Sequence, residues 1–125
     1  MSKDLQIIKK LQSRFGEFYH RWNSGKITYL RLTLEGVENK DLELIGELTS
    51  LEELKLDYND ISTIQGLEKL ANLKYLNLDN SQITTTQGLD KLTNLRWLHL
   101  AYTKIPKEEI KEFQANHPKT RIKCT

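Results

Sequence analysis

Leu51-Glu52-Glu53-Leu54-Lys55-Leu56-Asp57-Tyr58-Asn59-Asp60-Ile61 decides the fold. Its skeleton returns 22 residues later as Leu73…Leu76-Asn77-Leu78…Ile83, and again as Leu95…Leu98-His99-Leu100…Ile105. A looser copy precedes it: Ile27-Thr28-Tyr29-Leu30-Arg31-Leu32, with Val37 five residues after Leu32. A fixed period of this length implies one structural unit stacked on copies of itself, each burying its apolar side against its neighbours.

Within a frame the L-x-L segment predicts a short strand whose leucines point inward while the residues between them face solvent. The leading second-position leucines, Leu30, Leu54, Leu76 and Leu98, are spaced 24, 22 and 22 residues apart, and 24 more bring Ile122. The return path carries Leu42, Ile45, Leu48, then Ile61, Ile64, Leu67, Leu70, then Ile83, Leu89, Leu92. Spacings near three suit short helical or 3₁₀ turns. Gly66 and Gly88 mark tight bends. Pro106 is placed to open a helix containing Ile110 and Phe113, and Asn116-His117-Pro118 to end it.

The frame L-x-x-L-x-L-x-x-[N/S/T]-x-I resembles the leucine-rich repeat family, in its short bacterial, internalin-like or phosphatase-regulator-like form. That resemblance implies an α/β right-handed solenoid: about five short parallel strands on a concave face, short helices or 3₁₀ turns on the convex face, and a capping helix at the N-terminus. The family usually places Asn at the ninth position of each coil. Here Glu35, Asn59, Ser81 and Thr103 stand there, so a weaker turn ladder is expected.

Leu5, Ile8, Leu11, Phe15, Phe18 and Trp22 step by three or four, predicting one amphipathic helix over residues 1–25, with Ser2 as its N-cap and Asn23-Ser24-Gly25 as its stop. Residues 26–125 are read as the repeats, with coils starting near 27, 51, 73 and 95 and a truncated last coil ending at 125, all in one compact domain.

Charge is balanced overall, 19 basic against 17 acidic residues. Its distribution is uneven: residues 1–26 sum to +4, residues 27–102 to −5 and residues 103–125 to +3. The acidic middle opposes nucleic-acid binding. A single cysteine excludes an internal disulfide and fits a reducing compartment. With no apolar leader or membrane-length run, the expectation is a cytoplasmic chain.

Strand alternation assigns the solvent-facing columns of the concave sheet. They are Tyr29, Glu53, Tyr75, Trp97 and Arg121; then Arg31, Lys55, Asn77, His99 and Lys123; then Thr33, Asp57, Asp79, Ala101 and Thr125; then Leu34, Tyr58, Asn80 and Tyr102. Rigid aromatics beside Arg and Lys are the composition of binding hot spots. The reading is a non-enzymatic module that binds a protein or peptide, acidic or extended, between Arg31, Lys55, His99 and Lys123, with Tyr75 and Trp97 as anchors. Asp57 and Asp79 would read a basic group or neutralise the lysines. The alternatives are a regulatory subunit of an enzyme and, ranked lower, a single-strand nucleic-acid binder.

No catalytic, cofactor or metal set is visible. His20, His99 and His117 are scattered, and no phosphate-binding Gly pattern occurs. Cys124 and His99 fall on opposite sheet faces, so Cys124 is expected to be a buried apolar filler. The final strand reads as an edge guarded by Arg121 and Lys123, which favours a monomer and leaves pairing with a second copy as the alternative.

Overall fold

The computed structural model describes residues 2–125. In chain order it comprises α1 (Lys3–Phe15), β1 (Tyr19–Asn23), β2 (Lys26–Arg31), α2 (Leu42–Ile45), β3 (Glu53–Lys55), β4 (Tyr75–Asn77), β5 (Trp97–His99), α3 (Lys107–Asn116) and β6 (Arg121–Lys123). Single 3₁₀ turns lie at Asn39–Asp41 and Leu89–Lys91. The strands form one sheet in the order β1-β2-β3-β4-β5-β6. From β2 onward every pair is parallel, and the register is the frame itself: Leu30, Leu54, Leu76, Leu98 and Ile122 stand side by side. The chain is therefore a leucine-rich-repeat solenoid, with strands on one face and turns or short helices on the other.

The core follows from the spacing. The paired strand leucines Leu54/Leu56, Leu76/Leu78 and Leu98/Leu100 and the return-path residues Leu42, Ile45, Leu48, Ile61, Leu67 and Leu70 are all buried. Complete burial of one such side chain stabilises by about 1.5–3 kcal/mol. Coils of different length differ in their backing. The two 24-residue steps carry α2 and α3, whereas the 22-residue steps return through turns.

Between coils the backbone ladder runs past the strands. Leu34, Tyr58 and Asn80 donate their N–H to the carbonyls of Asp57, Asp79 and Ala101 at 2.8–3.1 Å. These residues and Tyr102 adopt left-handed backbone, φ 55–61°, a region costly to L-residues outside turns. On the opposite side, Gly46 sits so close to the next coil that an added Cβ would fall 1.7 Å from the Gly66 carbonyl oxygen. The sequence reading marked Gly66 and passed over Gly46.

The ninth positions behave unequally. The Asn59 side chain accepts from the N–H of Glu35 and Val37 and donates to the carbonyls of Leu32, Leu56 and Asp57, tying two coils together. Thr103 makes one bond, to the Leu100 carbonyl at 3.0 Å. Ser81 is buried and its Oγ has no partner among the described residues. A second ladder, not foreseen, runs along the other strand end: Asn72 donates to the Thr49 carbonyl, Asn94 to Ala71 and Thr120 to Leu95.

The N-terminal expectation needs correction. The helix does not run to residue 25; it ends at Gly16, whose φ of 77° no helix interior adopts. Tyr19–Asn23 is instead a strand, antiparallel to β2. Asn23-Ser24-Gly25 is a hairpin turn rather than a helix stop, with Ser24 and Gly25 at φ 51° and 80°, the positive pair that a type I′ turn requires. Helix α1 still covers the end of the stack, burying Ile7, Ile8 and Leu11 in the common core. Ser2 caps it, accepting from the Leu5 N–H at 3.2 Å. Asp4 is buried and accepts the Ile27 N–H at 2.9 Å, and Arg14 pairs with Glu38 and Asp41 at 2.9 and 3.1 Å. These bonds pin the cap to the first coil.

Candidate functional site

Parallel register builds the concave wall. Tyr29, Glu53, Tyr75, Trp97 and Arg121 form one row across five strands. Arg31, Lys55, Asn77, His99 and Lys123 form the next. Within this wall the side chains interlock. The Lys55 ammonium lies 5.8 Å from the Tyr29 ring centroid and 5.7 Å from that of Tyr75. Tyr75 in turn contacts the His99 ring, with centroids 5.1 Å apart. Burial pushes the Tyr75 hydroxyl pKa up; the charge of Lys55 and a hydrogen bond with Asn77 partly offset that rise.

The carboxylates of the neighbouring column are engaged from within. Asp57 accepts from the Thr33 hydroxyl at 2.7 Å. Asp79 accepts from the Ala101 N–H at 2.7 Å and faces His99 Nδ1 at 3.7 Å. Both therefore fix the wall's own geometry.

Exposure divides the expected residues. Trp97 is 47 % exposed, and Arg31, Glu53, Arg121 and Lys123 are exposed as well; Lys55, Tyr75, Asn77, His99, Asp57 and Asp79 are half-buried. Tyr29 departs from expectation: it is only 8 % exposed. The cause is β1. Tyr19 packs edge-on against the Tyr29 ring at 5.4 Å, and the Arg21 guanidinium lies over it at 4.9 Å. Tyr58 and Tyr102 are 54 % and 79 % exposed on the left-handed rim, alongside Leu34.

Tyr19 and Arg21 are wall residues that the sequence reading missed, because a helix was assigned there. A hydrogen bond with Tyr19, followed by the Tyr19 and Glu53 charges, raises the Arg21 pKa. The alternation of Tyr19 and Arg21 against Phe18, His20 and Trp22, closed by Asn-Ser-Gly, was the available signal.

Between Glu53, Tyr75 and Trp97 the wall holds a shallow depression of ≈ 350 Å³, open to solvent and also lined by Glu52 and Lys74. Cys124 is corrected too. It directly follows β6 and is exposed rather than buried.

Comparison with known proteins agrees with this fold. The family profile described as Leucine Rich repeats (2 copies) matches residues 49–91. No protein of curated function matches the sequence. The structure is similar to an internalin (inlF) of Listeria monocytogenes, at 29 % identity and TM-score 0.65, over 76 % of this chain and 26 % of that one. It is similar to a leucine-rich repeat protein of Leptospira interrogans at 29 % identity and TM-score 0.57, over 78 % of this chain and 22 % of that one. The fold is also that of internalin C2 of Listeria monocytogenes, at 24 % identity and TM-score 0.63, over 79 % and 52 % of the two chains. This chain thus spans about a quarter of the first two proteins. No helix among the described residues is long and apolar enough to cross a membrane. With its frames in register, its coils stacked and internalins among the proteins it resembles, the chain carries leucine-rich repeats and has the leucine-rich-repeat solenoid fold, which generally serves protein–protein interaction.

Proposed function

We propose that this chain is a non-enzymatic interaction module that holds a partner protein or peptide on its concave sheet. One observation carries the reading: Lys55, Tyr75, Trp97 and His99 share a single solvent-facing wall on consecutive strands. Aromatic groups held rigidly beside cations give up little side-chain entropy on binding, which concentrates affinity in few residues. The rim adds exposed Leu34, Tyr58 and Tyr102, bulky side chains kept in left-handed backbone. Such strain persists where a fold over-determines it and is associated with binding surfaces. The open, shallow depression favours a macromolecular segment over an enclosed small substrate. An exposed lone thiol, Cys124, is best suited to a reducing compartment such as the cytoplasm.

The test is recovery of partners from the native host by affinity purification with wild-type protein and with Tyr75→Ala/Trp97→Ala. The double variant is expected to fold, as judged by circular dichroism, and to lose the partner. Unchanged recovery overturns the concave assignment.

A further inference from the structure

We propose that the segment seated on this wall is extended, acidic at both ends, and apolar or aromatic between them. The inference rests on the concave-face reading above and adds the chemistry of the partner.

The cations of the wall lack anions. Among the described residues Arg21, Arg31, Lys55, Arg121 and Lys123 form no ion pair; the pairs present involve Arg14, Lys74, His99 and Lys111. The carboxylates that could have served them are already engaged: Asp57 accepts from the Thr33 hydroxyl, and Asp79 accepts from the Ala101 N–H and faces the His99 ring at 3.7 Å. Glu53 alone remains exposed on that face, within the field of Arg21. Asp57 and Asp79 keep their charge in those bonds, but five cations against three carboxylates leave the wall net positive, which an acidic ligand would complement.

The cations also fall into two groups. Arg21, Arg31 and Lys55 stand on β1 to β3, and Arg121 and Lys123 on β6. Between them β4 and β5 offer Tyr75, Asn77, Trp97 and His99. From β3 to β6 the sheet advances about 14 Å at ~4.8 Å per strand, a distance an extended peptide covers in roughly four to five residues at ~3.3 Å each. Acidic residues about that far apart would reach both groups and leave the intervening side chain over Tyr75 and Trp97. Lys55, already held between two rings, has less freedom to lose than a free surface lysine.

A nucleic-acid strand fits less well. Its evenly spaced phosphates would pass Glu53, Asp57 and Asp79 at the middle of the wall, where discrete acidic side chains need not.

The experiment is selection of a displayed random-peptide library on the full chain, with Tyr75→Ala/Trp97→Ala and Arg31→Glu/Lys55→Glu as parallel baits. Enriched wild-type binders are expected to carry Asp or Glu on both sides of an aromatic or aliphatic residue. Such a peptide, made synthetically, should lose affinity about tenfold or more for Arg31→Glu/Lys55→Glu and regain it when its own facing acidic residues become lysines. Enrichment of neutral or basic peptides, or of none, overturns the inference. Non-acidic binders lost on Tyr75→Ala/Trp97→Ala would overturn the acidic chemistry and leave the concave site standing. Acidic binders indifferent to that double variant would overturn the site itself. Tighter binding of oligo-thymidylate than of the best peptide at equal salt would overturn the inference in favour of a single strand.

Discussion

At the scale of single residues, the ninth position of the coils shows how unequally repeated slots can contribute. Asn59 satisfies backbone groups of two coils at once, so Asn59→Ala leaves several buried donors and acceptors unpaired. Urea unfolding is expected to show a loss of roughly 3 kcal/mol. Ser81 occupies the equivalent slot one coil later with an unpartnered Oγ. Ser81→Ala is therefore expected to leave the urea midpoint unchanged or raise it by up to about 1 kcal/mol equivalent. A cost approaching that of Asn59→Ala would show that the hydroxyl has a partner after all. The substitution of Asn by Ser was legible in the sequence as a weakening; that the slot is left unsatisfied was not, since it depends on how deeply the turn is buried. Gly46 is a similar case. Its backbone angles suit any residue, so only the 1.7 Å approach of the Gly66 carbonyl to its would-be Cβ reveals the constraint. Gly46→Ala is expected to destabilise by about 2 kcal/mol or more in the same assay, because backbone rather than a mobile side chain must move.

At the scale of elements, strands β2 to β6 were readable because their alternation repeats in phase, and each leucine column closes on its neighbour. The hairpin strand β1 was not, because Phe15, Phe18 and Trp22 continue a helical spacing by coincidence across a glycine that ends the helix. Periodicity could not arbitrate there; turn chemistry could have. Helix α3 was foreseen, but the device that docks it was missed. The Glu109 carboxylate accepts from the Thr85 hydroxyl and from the Thr86 N–H and hydroxyl. Those bonds, the Thr85 hydroxyl first, hold its pKa below the ordinary carboxylate range. A lowered folded-state value means its contribution is complete above the unfolded pKa and fades as pH falls through the folded one. Glu109→Gln should thus be most costly at neutral pH and least costly near pH 3, so that the stability difference from wild type narrows across the acid range. A difference independent of pH would show that the charge plays no part in docking.

At the scale of the whole molecule, α1 and β1 close one end of the stack, and the two sheet edges carry Arg21 on one side and Arg121 and Lys123 on the other. Charged edges resist pairing between copies, and light scattering is expected to report a monomer at high concentration. Removing residues 2–16 would strip Ile7, Ile8 and Leu11 from the common core; the shortened chain is expected to lose cooperative thermal unfolding or to aggregate, since an uncovered end of a solenoid exposes apolar surface. The candidate wall was legible because alternation fixes which side chains share a face, while the covering of Tyr29 depended on a strand no repeat announced. The difference in coil length has a consequence of its own. Two extra residues turn a plain return path into one bearing a helix, yet every strand keeps its neighbour. A length difference of two residues is thus absorbed on the back of the ribbon, while the strand register that sets out the candidate wall on the front stays the same from coil to coil.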